Sequence, residues 1–288
     1  MRMEKELERQ SEAMIIGDYS QILSICKRSR INRVIVALDE RRGKLPIEQL
    51  LFCRLNGIKV DDGMGFTEDL AGKLSVENLH PSSLIFSNGF KNSSFFKRLK
   101  GYLDIAVSAA GLILSFPLSV IVAMAILLDS KGPGFYKQER VGEDGKIFHL
   151  VKFRSMRDHA EEDGPAWAGV NDERVTRVGR VIRKLRFDEI PQMINVLRGD
   201  MSFVGPRPER LFFVSQLKEE IPYYSQRHAV KPGITGWAQI RYPYGASKED
   251  ALEKLKYDLY YVKHMSLLFD LTIILETAKI VFWGRGAR

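Results

Sequence analysis

The sequence predicts an α/β protein in which a small Rossmann-like N-terminal domain precedes a mostly α-helical, monotopic membrane domain. Short β-branched strands alternate with helical segments over residues 12–75, one uncharged apolar run spans Ile105–Leu128, and charged, turn-rich sequence follows it. The membrane domain is expected to contain a re-entrant helix and a short β-hairpin. The predicted boundaries are 1–76 for the N-terminal domain, 77–96 for a connector, 97–131 for a basic lead-in with the membrane helix, and 132–288 for a motif-rich domain with C-terminal interfacial helices.

Composition limits the kind of partner and compartment. A chain of 288 residues has room for one or two domains, and its formal net charge of +8 indicates an anionic partner such as nucleic acid, acidic lipid or a phosphorylated substrate. Cys26 and Cys53 lack a metal-ligand spacing, so buried free thiols in a reducing compartment are expected. The charged first ten residues contain no apolar core, which argues against a cleavable signal peptide.

The N-terminal domain shows the alternation that is typical of a small parallel sheet. Strands are predicted at 13–16, 33–38 and 57–60, and helices at 19–28, 46–55 and 66–70. No glycine-rich dinucleotide fingerprint follows any of these strands, since Gly17 stands alone. A regulatory, dimerising or vestigial role is therefore favoured over cofactor binding. Turn formers dominate residues 76–96, where His80 has no neighbouring metal ligands.

The apolar run Ile105–Leu128 is longer than the ~20 residues that cross a bilayer core. Pro117, beside Ser115, is expected to break or kink a helix at the middle of the run. Both flanks are basic, and the positive-inside rule places both on the cytoplasmic side. The flanking cations are Lys97, Arg98 and Lys100 before the run, and Lys131, Lys137 and Arg140 after it. A re-entrant helix satisfies these features, and a buried core helix or a straight span are the alternatives.

The segment after the membrane run is predicted to form a hairpin around Asp144-Gly145, ending in a strand over residues 147–153. Lys152 and Arg154 are two residues apart, so they share one face of that strand. An acidic loop or lid follows at 158–172, and a basic helix is predicted at 174–186. Arg183 lies on this helix, close in sequence to a pair of acids.

Asp188 and Glu189 are the candidate reactive residues. Pro191 cannot lie inside a continuous helix without losing a hydrogen bond, so a new helix with Asp188 as N-cap is predicted. The helix dipole and the nearby arginines should keep Asp188 ionised, while two adjacent acids push their pKa values apart. An ionised carboxylate near phosphate can bind Mg²⁺ or attack phosphorus. A plain capping pair on a solvated helix is the alternative.

Two loops after this pair are suited to phosphate recognition. Pro206 and Pro208 restrict the loop that presents Arg207, and a fixed guanidinium suits bidentate contact to phosphate. The second loop, Lys231–Gln239, is rich in glycine and fits backbone contact to phosphate or stacking on a base. Its candidate binding residues are Thr235, Gly236 and Gln239, whereas Trp237 is equally well explained as a core residue.

The C-terminal region is predicted to form two helices. Residues Lys248–His264 are rich in tyrosine, and Leu267–Trp283 is apolar with interspersed charges. The second segment is typical of an amphipathic helix that lies on an anionic membrane surface. A helix that packs on the protein core is the alternative.

Residues 97–285 resemble the bacterial sugar transferase family, the monotopic phosphoglycosyl transferases that act on polyprenyl phosphate. The resemblance rests on motifs in the family's order, beginning with the basic lead-in and the hydrophobic segment that contains Pro117. The later motifs are Pro133-Gly134, Gln138–Gly142, Lys152–Met156, Arg174–Gly179, Asp188–Gln192, Asn195–Asp200, Gly205–Pro208 and Lys231–Trp237.

The resemblance implies transfer of a sugar 1-phosphate from a UDP-sugar to undecaprenyl phosphate, giving undecaprenyl-diphosphate-sugar and UMP, with Mg²⁺ as cofactor. It implies that Asp188 is the nucleophile, forms a covalent phosphosugar intermediate and lies at the metal. It assigns Glu189 to acid–base or metal-site duty and Arg207 to contact with substrate phosphate. Arg154 is implied to line the same basic pocket.

The resemblance also implies a location at the cytoplasmic face of the bacterial inner membrane and a role in the first membrane step of exopolysaccharide or glycan synthesis. Residues 12–96 resemble the domain before the core of larger family members, which usually begin with several transmembrane helices, so a truncated or naturally short form is expected. A homodimer through this domain is a further expectation. The alternative function is a non-catalytic scaffold for polysaccharide assembly. Nucleic-acid binding is not expected, because no recognised module is present.

Overall fold

The computed structural model describes residues 15–38, 45–77, 89–90, 93–157, 172–242, 245 and 247–283. The chain forms two compact units, Met1–Ala71 and Gly72–Arg288. The predicted strand residues 13–14, His80 and most of the predicted connector and acidic loop lie outside the described residues.

The N-terminal unit contains a parallel pair of strands, β1 (Arg33–Val36) and β2 (Lys59–Asp62). Its helices are α1 (Ile22–Arg28), α2 (Ile47–Leu55) and α3 (Gly63–Ala71). Both cysteines are buried free thiols in its core, as predicted. The predicted first strand is wrong for Ile15 and Ile16, which are exposed and irregular. A Rossmann-like fold for this unit stays a prediction.

The second unit begins with one long helix, α4 (Ser94–Asp129), which Ser93 caps by accepting from the Phe96 N–H. It is the one helix among the described residues that is long and apolar enough to cross a membrane. Only 11% of its most apolar stretch is buried, so the alternative of a buried core helix is wrong. The chain stays helical through Pro117, so a break there is wrong, whereas a kink stays a prediction. A long helix can absorb one lost hydrogen bond, and re-entry into the bilayer stays a prediction.

An antiparallel hairpin follows α4 and pairs β3 (Phe135–Val141) with β4 (Ile147–Phe153), as predicted. Asp144 and Gly145 adopt positive φ angles of 55° and 76° at its turn. An aspartate and a glycine tolerate this backbone better than most residues. β4 packs against two later segments of the chain, the 3₁₀ turn Phe187–Glu189 and the helix Gln192–Arg198.

The remaining helices and strands follow the hairpin in the chain. The helices are α5 (Arg177–Lys184), α6 (Gln192–Arg198), α7 (Leu211–Glu220), α8 (Trp237–Arg241), α9 (Lys248–His264) and α10 (Leu267–Trp283). Strands β5 (Ser202–Val204) and β6 (Gly233–Thr235) pair in parallel, and 3₁₀ turns occupy Phe187–Glu189 and Tyr224–Ala229. The two predicted C-terminal helices are thus confirmed as helices. α10 is partly packed, with Ile273 fully buried, and partly exposed at Leu268, Leu271 and Leu275.

Both ends of α4 are attached to this second unit. Near its start, Lys100 pairs with Asp270 at 2.6 Å, and Asp104 accepts from the Ser202 hydroxyl at 2.7 Å. At its end, Asp129 accepts from the Val178 N–H of α5 at 3.0 Å. The apolar middle of the helix is exposed, with Leu114 at 82%. The helix therefore begins and ends on the same folded body.

Three glycines allow the loops after β5 and β6 to touch through their backbones. A Cβ atom added to Gly233 would lie closer than 3.0 Å to the Gly205 nitrogen, and one added to Gly236 would approach the Gly205 carbonyl as closely. Gly233 N–H donates to Pro206 O, and Gly205 N–H donates to Thr235 O, both at 2.9 Å. Glycine is required here by close backbone approach.

Candidate active site

The turn that presents the acid pair is built by α5 and by a strained residue. Thr176 caps α5 by accepting from the Gly179 N–H at 2.9 Å. Arg186 then adopts a left-handed φ of 56°, which reverses the chain into the 3₁₀ turn Phe187–Glu189. Such backbone strain in a residue other than glycine costs about 1–3 kcal/mol and is concentrated at functional sites. The N-cap prediction for Asp188 is wrong, because Pro191 is the N-cap of α6 and Asp188 lies in the preceding 3₁₀ turn.

Asp188 is a half-buried carboxyl group in cationic surroundings. Burial and the neighbouring Glu189 raise its pKa to about 6, against the opposing effect of Lys152, Arg207 and Arg183. Within the described residues, none forms a hydrogen bond or an ion pair with its side chain. The carboxylate is thus ionised in most molecules at pH 7 and is free to react or to bind a cation.

Glu189, by contrast, is held on both oxygens. Its Oε1 accepts from Arg207 Nη2 at 2.8 Å, and its Oε2 lies 3.7 Å from Arg186 Nη1. Burial acts to raise the pKa of Glu189, but these two arginines lower it below the usual value. The adjacent acids therefore titrate apart, as the sequence predicts, with Glu189 as the partner that stays charged.

Arg207 links Glu189 to the second loop. Its Nη1 donates to Gln239 Oε1 at 2.9 Å, and the Glu189 charge raises the pKa of Arg207 further above neutrality. The Gln239 Nε2 atom is buried and has no partner among the described residues. Arginine can only donate, so the amide must direct its oxygen to Arg207 and its N–H₂ group elsewhere.

Lys152 approaches the acid pair from the end of β4. Burial, followed by the charge of Arg140, lowers its pKa to about 8, while Asp188 opposes the change. Its ammonium lies 5.2 Å from the centre of the Tyr136 ring, on the cross-strand partner in the hairpin. Arg140 is also mostly buried, with its side chain 15% exposed, and desolvation lowers its pKa to about 10. The hairpin thus contributes two cations to this side of the site.

Several predicted binding residues have structural partners instead. Arg154 is buried and donates to the carbonyls of Ser130 and Lys131, at 2.8 and 2.6 Å, so it fixes the chain that leaves α4. The Thr235 hydroxyl lies 2.7 Å from that of Thr277 on α10. These two side chains have partners within the protein, and their assignment to the substrate pocket stays a prediction.

The glycine-rich second loop also has a structural role. Trp237 is buried and donates to Gly72 O at 2.7 Å, which confirms its interpretation as a core residue. Gly236 packs its backbone against Gly205. Of the residues predicted in this loop, Gln239 is the one whose side chain contacts the arginine of the acid-pair site.

The structure gathers the predicted residues Lys152, Arg183, Asp188, Glu189, Arg207 and Gln239. Sequence reasoning did not select Arg140 and Arg186 as site residues. Arg186 is among the basic residues that the sequence places beside the acid pair, and Arg140 could have been selected because it lies in the Gln138–Gly142 motif. Pro206 and Pro208 are buried parts of the loop that presents Arg207.

A single free carboxylate fits a site for Mg²⁺, which typically takes one or two carboxylates and completes its shell with water and substrate phosphates. Asp188 supplies the hard oxygen ligand, because Glu189 is neutralised by its arginines. The described residues contain no group of three or more acidic, histidine or cysteine side chains that would form an all-protein metal cage. Asp188 is thus the residue of this site that would hold such an ion, and Mg²⁺ as cofactor stays a prediction.

Known proteins match this chain over more than half of its length. It is 42% identical over 236 residues to a UDP-N-acetylgalactosamine-undecaprenyl-phosphate N-acetylgalactosaminephosphotransferase of Aeromonas hydrophila, covering 82% of this chain and 55% of the relative. It is 36% identical over 278 residues to a UDP-glucose:undecaprenyl-phosphate glucose-1-phosphate transferase of Escherichia coli (strain K12), covering 94% and 59%. An exopolysaccharide production protein PSS of Rhizobium leguminosarum bv. phaseoli is 42% identical over 185 residues, which are 62% of this chain and 92% of that protein.

The chain thus spans between half and three fifths of the length of the Aeromonas and Escherichia relatives. The profile of the bacterial sugar transferase family matches residues 94–284, from the start of α4 to the end of the described C-terminal helix. This segment contains the Asp188 turn, the Arg207 loop and the hairpin that supplies Lys152. With this match over most of its length, the chain belongs to the bacterial sugar transferase family.

Proposed function

We propose that this chain transfers a sugar 1-phosphate from a UDP-sugar to undecaprenyl phosphate and releases UMP. The observation that supports this most directly is the Asp188 carboxylate, which has no partner within the described residues and lies among Lys152, Arg183 and Arg207 with a pKa raised to about 6. Such surroundings suit a nucleophile that must attack a negatively charged diphosphate. The names of the relatives support the lipid phosphate acceptor, and they differ in the sugar, being N-acetylgalactosamine or glucose.

In the first step, Asp188 attacks the β-phosphorus of the UDP-sugar, and the bond to the bridging oxygen breaks to release UMP. Arg207, Lys152 and Arg183 neutralise charge on the phosphate oxygens as the new bond forms. In the second step, an oxygen of undecaprenyl phosphate attacks the phosphorus, and the aspartyl bond breaks to regenerate Asp188. When bound, Mg²⁺ supplies further neutralisation of the diphosphate. Glu189 holds Arg207 in place, and its low pKa argues against acid–base duty.

The direct test measures UMP release by the purified chain with Mg²⁺, undecaprenyl phosphate and a panel of UDP-sugars, including glucose, galactose and their N-acetylated forms. We expect UMP release with at least one donor, and its loss when the lipid acceptor or Mg²⁺ is omitted in multiple-turnover conditions. No release with any donor in the panel would refute the proposed activity. The panel also identifies the sugar.

A lipid acceptor requires the site to lie at a membrane surface. A monotopic arrangement is supported by the contacts that both ends of α4 make with the second unit. A folded body cannot lie on both sides of a bilayer, yet this one contacts Lys100 and Asp104 near the start of α4 and Asp129 at its end. We therefore propose that α4 enters and leaves the membrane on one face, the cytoplasmic face of the bacterial inner membrane. There, soluble nucleotide sugar and lipid phosphate can meet.

Cysteine labelling tests this topology. Lys97 and Lys131 are exposed at the two ends of α4, and single replacements Lys97→Cys and Lys131→Cys give one probe at each end. In intact bacterial cells, a membrane-impermeant maleimide should label neither position, and both should react once the cytoplasmic face is opened. The parent chain is the control, because Cys26 and Cys53 are buried and should react slowly. Labelling of only one position in intact cells would contradict re-entry.

A further inference from the structure

The loop that presents Arg207 depends on side chains for half of its backbone hydrogen bonds. Four consecutive carbonyls, from Pro206 to Glu209, each accept one bond. Pro206 O accepts from Gly233 N–H and Glu209 O from Val141 N–H, both at 2.9 Å. The two middle carbonyls accept from guanidinium groups instead. These bonds join Arg227 Nη2 to Arg207 O and Arg140 Nη1 to Pro208 O, each at 2.9 Å.

The prolines explain why side chains are needed here. Pro206 and Pro208 have no N–H group, so this stretch cannot exchange paired backbone bonds with a neighbouring strand. Buried carbonyls without a partner are costly, and both prolines are buried. Guanidinium groups that approach from other elements satisfy these carbonyls and also fix their positions.

Arg227 is held rigidly for this contact. It is 5% exposed, and its ion-pair partner Asp258 on α9 is 2% exposed. Asp258 Oδ2 accepts from Arg227 Nε at 3.1 Å and from Nη2 at 2.8 Å, while Arg227 Nη1 donates to the Tyr224 hydroxyl at 2.9 Å. The Nη2 atom that bonds Arg207 O is thus anchored by Asp258.

Stability alone does not account for this buried pair. Removing two charges from water is expensive, and well-packed apolar residues in the same place are often as stabilising or more so. Apolar residues, however, cannot donate a hydrogen bond to Arg207 O. The guanidinium of Arg207 itself is exposed and reaches Glu189 and Gln239, so the position of its backbone determines where its charge lies.

We propose that Arg227, oriented by Asp258, is a positioning residue for Arg207 in phosphoryl transfer. It contacts no substrate and acts by fixing the backbone of the residue that stabilises the transferred phosphate. The inference rests on the proposed function and adds to it two residues from outside the acid-pair site.

The test replaces the pair without leaving a buried charge, as Arg227→Met/Asp258→Leu. Misplacement of a catalytic group by ~1 Å can cost about 100-fold, so we expect kcat for UMP release to fall by about 10- to 100-fold while the fold is retained. The readout that separates positioning from general damage is a double-mutant cycle with Arg207→Ala. In the Arg207→Ala background, the same two replacements should lower the rate by less than about threefold.

The matched control is Lys73→Met/Glu253→Gln, which removes another ion pair of α9 that does not contact the Arg207 loop. It should keep kcat within about threefold of the parent. If the double variant fails to fold, the replacement Arg227→Lys keeps a positive charge beside Asp258. We expect this variant still to lower kcat, because Arg207 is no longer held in position. A normal rate in the folded variants, or a loss undiminished in the Arg207→Ala background, would overturn the inference. Inactivity of the parent chain would instead refute the proposed function.

Discussion

Replacing Asp188 by asparagine is expected to abolish the proposed reaction, with a loss of at least about 1,000-fold in UMP release. The substitution keeps size and shape but replaces the attacking carboxylate by a neutral amide. Because the Asp188 side chain has no hydrogen-bond or ion-pair partner within the described residues, the substitution removes few protein contacts. Any large effect on rate should therefore arise from chemistry rather than from folding.

Intact-protein mass spectrometry provides a second measurement for this variant. With UDP-sugar and no lipid acceptor, the parent chain should gain the mass of one sugar phosphate, whereas Asp188→Asn should gain none. Asp144→Asn is the matched control, because this aspartate lies in the hairpin turn and asparagine tolerates its φ of 55°. An Asp188→Asn variant with the full parental rate would show that another residue is the nucleophile.

The Gly233→Ala substitution is expected to have the largest effect on stability. The added methyl group would lie closer than 3.0 Å to the Gly205 nitrogen, and that atom is backbone in the adjacent strand segment. Neither of the two backbone segments can move away without breaking the β5–β6 pairing and the hydrogen bond from Gly233 N–H to Pro206 O. We expect a loss of about 3 kcal/mol or more, together with loss of activity because the Arg207 loop is displaced.

Thermal unfolding followed by circular dichroism in detergent tests this expectation. A loss of 3 kcal/mol should lower the unfolding temperature by roughly 6–12 °C in a unit of this size. Gly101→Ala is the control, since no atom within 4 Å would contact the new methyl group inside α4, where alanine favours the helix. If Gly233→Ala unfolds at the parental temperature, close backbone packing is not what requires this glycine.

Local patterns predicted most of the secondary structure. The hairpin around Asp144, the helices Lys248–His264 and Leu267–Trp283, and the parallel pair in the N-terminal unit follow from periodicity and turn residues. The errors arose where one local signal was given too much weight. Pro191 does mark the start of α6, but Pro191 itself is the N-cap and not Asp188. Pro117 lies within a helix that continues past it.

The site residues also divide into those that the sequence pattern identifies and those whose role depends on contacts in the folded chain. Asp188, Glu189 and Arg207 are recognisable in sequence because acids, arginines and prolines cluster near them. Arg154 and Thr235 have the same kind of sequence signal, yet their partners are Ser130, Lys131 and Thr277, which lie far away along the chain. A polar side chain in a promising motif has no fixed role until its hydrogen-bond partners are known.

The sequence by itself determined the family, the long apolar helix and the acid pair, because these depend on residue type and short-range order. Only the tertiary structure decided which acid is free, since that depends on Arg186 and Arg207 reaching Glu189 while Asp188 stays unpaired within the described residues. It also decided that Arg227 and Asp258 lie beneath Arg207. The physical reason is that charge effects and buried hydrogen bonds depend on distance in space and on desolvation, and neither is encoded by spacing along the chain.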